Sequence, residues 1–145
     1  MGFEYFYGQN ILKSQADAII IPVNTVGIIG TGLAKKAAIK YPEIVIKYKE
    51  YCARSLLQVG KPQVVTNPRK VILFPSKKHW RDKPSIEWVS SGLKTLRKQD
   101  GMFTSIAMPP IGCGFAGLMW SDVENEIKFY FEDSLCEIHI YCKKR

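Results

Sequence analysis

The sequence predicts an α/β fold built on a mostly parallel sheet covered on both faces. Strand-type and helix-type segments alternate along the chain. One strand, Ala18-Ile19-Ile20-Ile21-Pro22-Val23, is continuously apolar, as a buried strand must be. Two strand-to-helix junctions are rich in glycine. The 145 residues suffice for one domain with a real core and are too few for two, so a single domain over 1–145 is expected.

Phe3 to Tyr7 is aromatic and β-prone and reads as the first strand. Gly8-Gln9-Asn10 ends it, and Ile11 and Leu12 lead to the apolar strand. After Gly32 the spacing turns helical, with Leu33, Ala34, Ala37, Ala38 and Tyr41 on one face. That helix stops near Tyr41-Pro42. A second helix is expected from Glu43 to Arg54, with Ile44, Tyr48, Tyr51 and Cys52 inward. Val64-Val65-Thr66 and Val71-Ile72-Leu73-Phe74 read as strands paired around an Asn67-Pro68-Arg69-Lys70 turn. Pro75 to Pro84 reads as a polar loop. A third helix runs from about Ser85 to Lys98, with Ile86, Val89, Leu93 and Leu96 inward. Thr104 to Met108 is a strand, stopped by Pro109-Pro110. Ser121 with Glu124 suggests a capping box for a fourth helix bearing Val123, Ile127, Tyr130 and Phe131. Ile138 to Cys142 is the last strand, followed by the basic tail Lys143-Lys144-Arg145.

Composition narrows the functional classes. Hydrophobic content of 46% with mixed charge describes a folded chain. No apolar run is long enough to span a membrane, and no basic region followed by an apolar stretch marks a signal peptide at the N-terminus. Cys52, Cys113, Cys136 and Cys142 lack the paired spacing of a zinc site and lie far apart for a disulfide framework, so a reduced, cytoplasmic protein without metal or cofactor is expected. Lys and Arg number 21 against 13 acids, a net charge of +8 that favours a polyanionic partner.

The chemistry concentrates in three stretches. Val23 to Ala34 runs strand, glycine-rich loop, helix. Glycine permits close backbone approach, and a helix start offers free N–H groups and a positive dipole end, which together make an anion cradle. Ile111-Gly112-Cys113-Gly114-Phe115-Ala116-Gly117-Leu118 is a second such loop. Its Gly-x-Gly-x-x-Gly spacing imitates a dinucleotide fingerprint, but too little chain follows for the second half of that fold. Two loops at the ends of neighbouring strands would clamp a diphosphate. Cys113 between two glycines reads as a small residue fitting a tight loop, with a nucleophile the lesser alternative. His139, between Ile138 and Ile140, reads as structural. The third stretch is Lys77-Lys78-His79-Trp80-Arg81. A lysine there, desolvated beside Trp80, would act as an amine nucleophile on a sugar carbon; equally, the loop would contact nucleic-acid phosphates.

Asn24-Thr25-Val26-Gly27 with Gly30-x-Gly32, Pro75 to Arg81, and Pro109-Pro110-Ile111-Gly112-Cys113-Gly114 with Gly117-Leu118-x-Trp120 resemble the macrodomain family, over about Tyr7 to Tyr141. Within it they are most similar to the branch of DarG-type DNA ADP-ribosyl glycohydrolases and the related terminal ADP-ribose glycohydrolase. The resemblance implies a three-layer α/β/α macrodomain with a mixed, mostly parallel sheet that binds ADP-ribose. Asn10, beside Ile11, stands where the family usually has an aspartate that receives the adenine amine. Asn24 matches the asparagine near the distal ribose. Gly30, Thr31, Gly32 and Leu33 match one diphosphate loop, and Pro110 with Ile111, Gly112, Cys113, Gly114, Phe115, Ala116 and Gly117 match the other. Tyr141 matches the aromatic residue against adenine. Lys77 matches the catalytic lysine that attacks the anomeric carbon of the distal ribose.

The glutamate-linked terminal hydrolase carries an aspartate at the position of Ala116. Its absence turns the implied substrate toward ADP-ribose on thymidine in DNA. A DarT-type toxin is then the functional partner, and a monomer is expected. The alternatives are a non-catalytic ADP-ribose reader, an ADP-ribose 1″-phosphate phosphatase, a protein ADP-ribosyl-glutamate hydrolase, and a basic nucleic-acid-binding module.

Overall fold

The structure, a computed structural model, describes residues 2–114 and 117–143. Phe115 and Ala116 of the second glycine loop, and Lys144 and Arg145 of the basic tail, therefore lie outside the described residues.

The elements follow in chain order as β1 (Phe3–Tyr7), β2 (Ala18–Asn24), α1 (Gly32–Lys40), α2 (Pro42–Ala53), β3 (Gln63–Val65), β4 (Lys70–Lys77), α3 (Ile86–Lys98), β5 (Ser105–Met108), α4 (Trp120–Phe131) and β6 (Glu137–Cys142). Short 3-10 turns at Ile11–Lys13 and Asp100–Met102 complete the set. The six strands form one sheet in the order β1-β6-β5-β2-β4-β3. Every neighbouring pair is parallel except β3 and β4, which form the expected hairpin.

Alternation along the buried strands divides the core in two. Ala18 and Ile20 of β2, Ile72 and Phe74 of β4, and Ile106 and Met108 of β5 face α3 and α4. Ile19, Ile21 and Val23, with Val71, Leu73 and Ala107, face α1 and α2. Fully burying an aliphatic or aromatic side chain stabilises by roughly 1.5–3 kcal/mol, so β2, apolar on both faces, is held from both sides. Gly92 shows how closely α3 is packed: a Cβ there would stand 2.4 Å from the Phe74 ring.

Two local expectations are corrected. Pro75, Ser76 and Lys77 do not begin a loop but continue β4, with Pro75 and Ser76 buried beside β2. Ser121 is no helix cap. α4 starts at Trp120 with Met119 at the cap position, which no side chain satisfies. Glu124 instead accepts a hydrogen bond from the Tyr5 hydroxyl of β1. α3 is capped by Ser85, whose Oγ accepts from the Glu87 N–H at 3.2 Å.

The sheet order positions the site. From β2 the chain passes through α1 and α2 toward β3 and β4 on one side; from β5 it passes through α4 to β6 on the other. β2 follows β4 from Ala18 to Asn24 but pairs with β5 only at Ala18↔Ile106 and Ile19↔Ala107. Past Ile19 the strands part, and Pro22, which has no N–H, breaks no ladder toward β5. The carboxyl ends of β2 and β5 thus border a crevice at the point where the connections reverse direction, where α/β sheets bind ligands. No helix of the described residues is long and apolar enough to cross a membrane.

Candidate functional site

The first glycine loop is built on Asn24, a buried polar residue at the end of β2. Its Oδ1 accepts from the N–H groups of Val26 at 3.1 Å and Ile28 at 3.4 Å, and its Nδ2 donates to the Ile28 carbonyl at 2.8 Å. This side-chain turn folds residues 25–28 over the strand end. The Tyr48 hydroxyl of α2 lies 2.8 Å from Asn24 Oδ1 and 2.9 Å from the Asn24 carbonyl, one proton serving both. Burial, with a smaller contribution from Cys52, holds the Tyr48 phenol well above its ordinary range, so it remains a donor. On the other side, the Thr25 N–H and Oγ1 both donate to the Lys78 carbonyl, at 3.0 and 2.9 Å.

Gly32 enters α1 with φ +73°, a conformation a side chain strains. Thr31 at the cap position makes no side-chain bond to the first turn. That turn holds no acid, and exposed Lys35 and Lys36 follow it, adding positive charge to the positive end of the helix dipole. Such an end favours a bound anion. Beside it opens a cleft of about 420 Å³ lined by Gly8, Gln9, Asn10, Ile11, Leu33 and Lys36. Asn10 Oδ1 accepts from the Leu12 N–H at 3.0 Å, which leaves its second lone pair and its amide hydrogens for a guest. Three expected binding residues, Asn10, Ile11 and Leu33, therefore share one cleft. Tyr141 is not in its lining; it is buried in the core facing α1 and α2, its ring stacked on Phe6 at 4.7 Å.

The second loop closes on itself. The Cys113 N–H donates to the Pro110 carbonyl at 3.0 Å, Gly117 to Gly114 at 2.8 Å and Leu118 to Gly112 at 2.7 Å. A Cβ at Gly117 would stand 2.2 Å from the Gly112 oxygen, so only glycine fits. Ile111 is fully buried and anchors the loop in the core. Burial foremost, then Asp122, pushes the Cys113 thiol up to about 11, which leaves it protonated near neutral pH and removes it as a nucleophile.

Lys77 ends β4 and is the register partner of Asn24, across the irregularity between Val23 and Asn24. Its Nζ donates to the Trp80 carbonyl at 3.2 Å. The Trp80 indole itself is faced by the Arg81 guanidinium at 4.6 Å, while the Lys78 ammonium lies over Trp88 of α3 at 5.5 Å. Asp82 accepts from the His79 N–H at 2.9 Å and closes this loop. The two neighbouring lysines are thus committed to different surroundings. His139 is half-buried, with Nε2 2.9 Å from Glu137 and its ring against Phe6.

Two residues of the site were not read from the sequence. Tyr48 was legible only as an inward helix position, and Lys36 would have been found by following Leu33 one helical turn.

The comparisons agree with this architecture. The family model described as Macro domain matches residues 20–127. A DNA ADP-ribosyl glycohydrolase of Thermus aquaticus is 37% identical over 130 residues, covering 85% of this chain and 36% of the relative. The enzyme of that name from Mycobacterium tuberculosis is 34% identical over 134 residues, covering 87% and 38%. The chain thus spans little more than a third of the length of these curated relatives. Among solved structures, the macrodomain of Thermus aquaticus DarG superposes with a TM-score of 0.89 at 33% identity, covering 97% of both chains. Thermosipho africanus DarTG in complex with ADP-ribose gives 0.86 at 27%, covering 92% of this chain and 39% of that one. With the family model matched over residues 20–127, relatives at 34–37% identity and a superposable fold, the chain belongs to the macrodomain family.

Proposed function

We propose that this chain binds ADP-ribose and hydrolyses its link to thymidine in DNA. The reading is carried by one juxtaposition: Lys77 and Asn24 are register partners on adjacent strand ends, and the two glycine loops leave the carboxyl ends of the neighbouring strands β2 and β5. The likeness to DNA ADP-ribosyl glycohydrolases supports the substrate class, as does the net charge of +8.

In this reading the adenosine end occupies the cleft between Asn10, Ile11, Leu33 and Lys36. Gly30 to Leu33 and Pro110 to Gly117 bind the diphosphate through backbone N–H groups. The remaining Nδ2 hydrogen of Asn24 orients the distal ribose. The Lys77 amine leaves the Trp80 carbonyl and attacks the anomeric carbon. A carbon–nitrogen bond to lysine forms as the bond to the thymine nitrogen breaks, and the proton that the attacking nitrogen loses passes to the departing one. Water then releases ADP-ribose and restores the amine. The chain acts as a monomer in the cytoplasm, opposing a DarT-type toxin; a fused transferase–glycohydrolase of Thermosipho africanus illustrates such a pairing.

The experiment offers ADP-ribosylated DNA, glutamate-linked ADP-ribosyl protein and ADP-ribose 1″-phosphate side by side. Release from DNA alone is expected. Turnover of the phosphate or the protein in its place would reassign the chemistry, and binding without turnover of any of them would make the chain a reader.

A further inference from the structure

Residues 77–83 do more than carry a lysine to the crevice. The span holds Lys77, Lys78, Arg81 and Lys83 against the single acid Asp82, and Asp82 is turned inward onto the His79 N–H. Lys78, Trp80, Arg81 and Lys83 are all exposed. Trp80 leaves 43% of its surface to solvent, unusual for so large an aromatic side chain. The loop is also well fixed. Arg81 stacks over the indole, the Arg81 N–H donates to His79 Nδ1 at 3.2 Å, and Thr25 holds the Lys78 carbonyl from the first glycine loop. The His79 ring also lies against the indole, centroids 5.4 Å apart at 32°. The exposed part of the indole, set among these groups and surrounding cations, has the makings of a stacking platform for an unpaired base whose phosphates meet the charge.

Resting on the DNA reading above, we propose that Trp80 is a specificity-determining residue: it stacks an unpaired base next to the modified nucleotide, while Arg81 and Lys83 hold the flanking phosphates. Such a base must be unpaired, because a base inside a duplex cannot present its face to an indole. The position suits this role. Trp80 lies three residues beyond Lys77, whose ammonium its own carbonyl receives, so a base on the indole is tied to the end of β4 beside Asn24. Exposed Val26 and Ile28, on the loop that Thr25 stitches to Lys78, add apolar surface beside the same edge.

Two measurements test this. The first is fluorescence anisotropy with an unmodified single-stranded oligonucleotide, which needs no hydrolysis. Trp80→Ala is expected to weaken binding about tenfold or more, Trp80→Phe to restore most of it, and Arg81→Gln to flatten the dependence on salt. Equal binding by Trp80→Ala and the unaltered protein, or equal affinity for a matching duplex, would overturn the platform. The second compares KM for ADP-ribosyl thymidine with KM for the same nucleoside within an oligonucleotide. Trp80→Ala should erase about tenfold of the oligonucleotide's advantage; an unchanged ratio would overturn the proposal. Failure of the unaltered protein to turn over either substrate sinks the hydrolase reading alone, and the anisotropy result still decides the platform.

Discussion

The Tyr48 hydroxyl sits 2.8 Å from Asn24 Oδ1, so α2 holds from beneath the residue that starts the first glycine loop. Asn24 is buried, and its oxygen also collects the Val26 and Ile28 N–H groups. The shape of the loop therefore depends on a phenol 24 residues away in sequence. Tyr48→Phe removes that bond and keeps the packing. We expect a stability loss of about 1 kcal/mol, read as a Tm lower by roughly 2–4 °C. ADP-ribose affinity, measured by calorimetry, should fall about fivefold. Unchanged affinity would show that the loop keeps its shape unaided.

The glycines of the two loops have different duties, and alanine substitution separates them. At Gly117 a Cβ collides with the Gly112 oxygen, so Gly117→Ala must open the second loop. ADP-ribose binding should be lost while circular dichroism keeps its helical signal. At Gly30 nothing lies within 4 Å of the added atom and φ is not positive. Gly30→Ala should therefore leave the Tm within about 2 °C of the parent, a change of under ~1 kcal/mol. Any loss of ADP-ribose affinity in that variant measures how closely the ligand passes over the backbone.

Alkaline pH should destabilise the fold through its thiols. Burial pushes both Cys113 and Cys136 up to about 11 from 9.0, with nearby acids adding to it. The native state therefore favours the protonated thiols. Their contribution is complete below pH 9, where the unfolded chain is protonated too, and is lost as pH rises toward 11. A Tm series should fall across that window. In the Cys113→Ala, Cys136→Ala double variant the fall should be shallower, and an identical slope would assign it to other groups.

Much of the fold was legible because each strand and helix announces itself locally. β2 is a run of isoleucines, and α3 carries Val89, Leu93 and Leu96 as a stripe. The failures lie where distant partners decide. β4 runs on through Pro75 and Ser76 because β2 lies beside it and buries them, which no local pattern reveals. Glu124 resembled half of a capping box but serves Tyr5, 119 residues away. Tyr141 was matched to the aromatic residue against adenine, but its stack on Phe6, set by the parallel register Phe6↔Tyr141, has no local signature. The glycine loops and Lys77 were legible as chemistry. The two loops were expected at the ends of neighbouring strands, and β2 and β5 are adjacent; the pairing of Lys77 with Asn24 was not read, because it follows from β4 running on beside β2.

Lys36 lines the cleft beside Asn10 and stands in the first turns of α1, where its charge adds to the positive end of the helix. Lys36→Ala should weaken ADP-ribose binding two- to fivefold at low ionic strength, as one exposed charge near a helix start contributes about 0.3–1 kcal/mol. At about 0.5 M salt the difference should shrink, since screening acts within a few ångströms. A salt-independent loss would point to a hydrogen bond from the ammonium in place of a field effect.

The central claim is that one amine, at the end of β4 and beside Asn24, breaks the bond to the base. Its most direct test is Lys77→Ala, assayed for release of ADP-ribose from an ADP-ribosylated single-stranded oligonucleotide alongside its affinity for free ADP-ribose. The account predicts affinity within a few-fold of the unaltered protein and release slowed by on the order of 10³-fold or more. Release at the unaltered rate would contradict it.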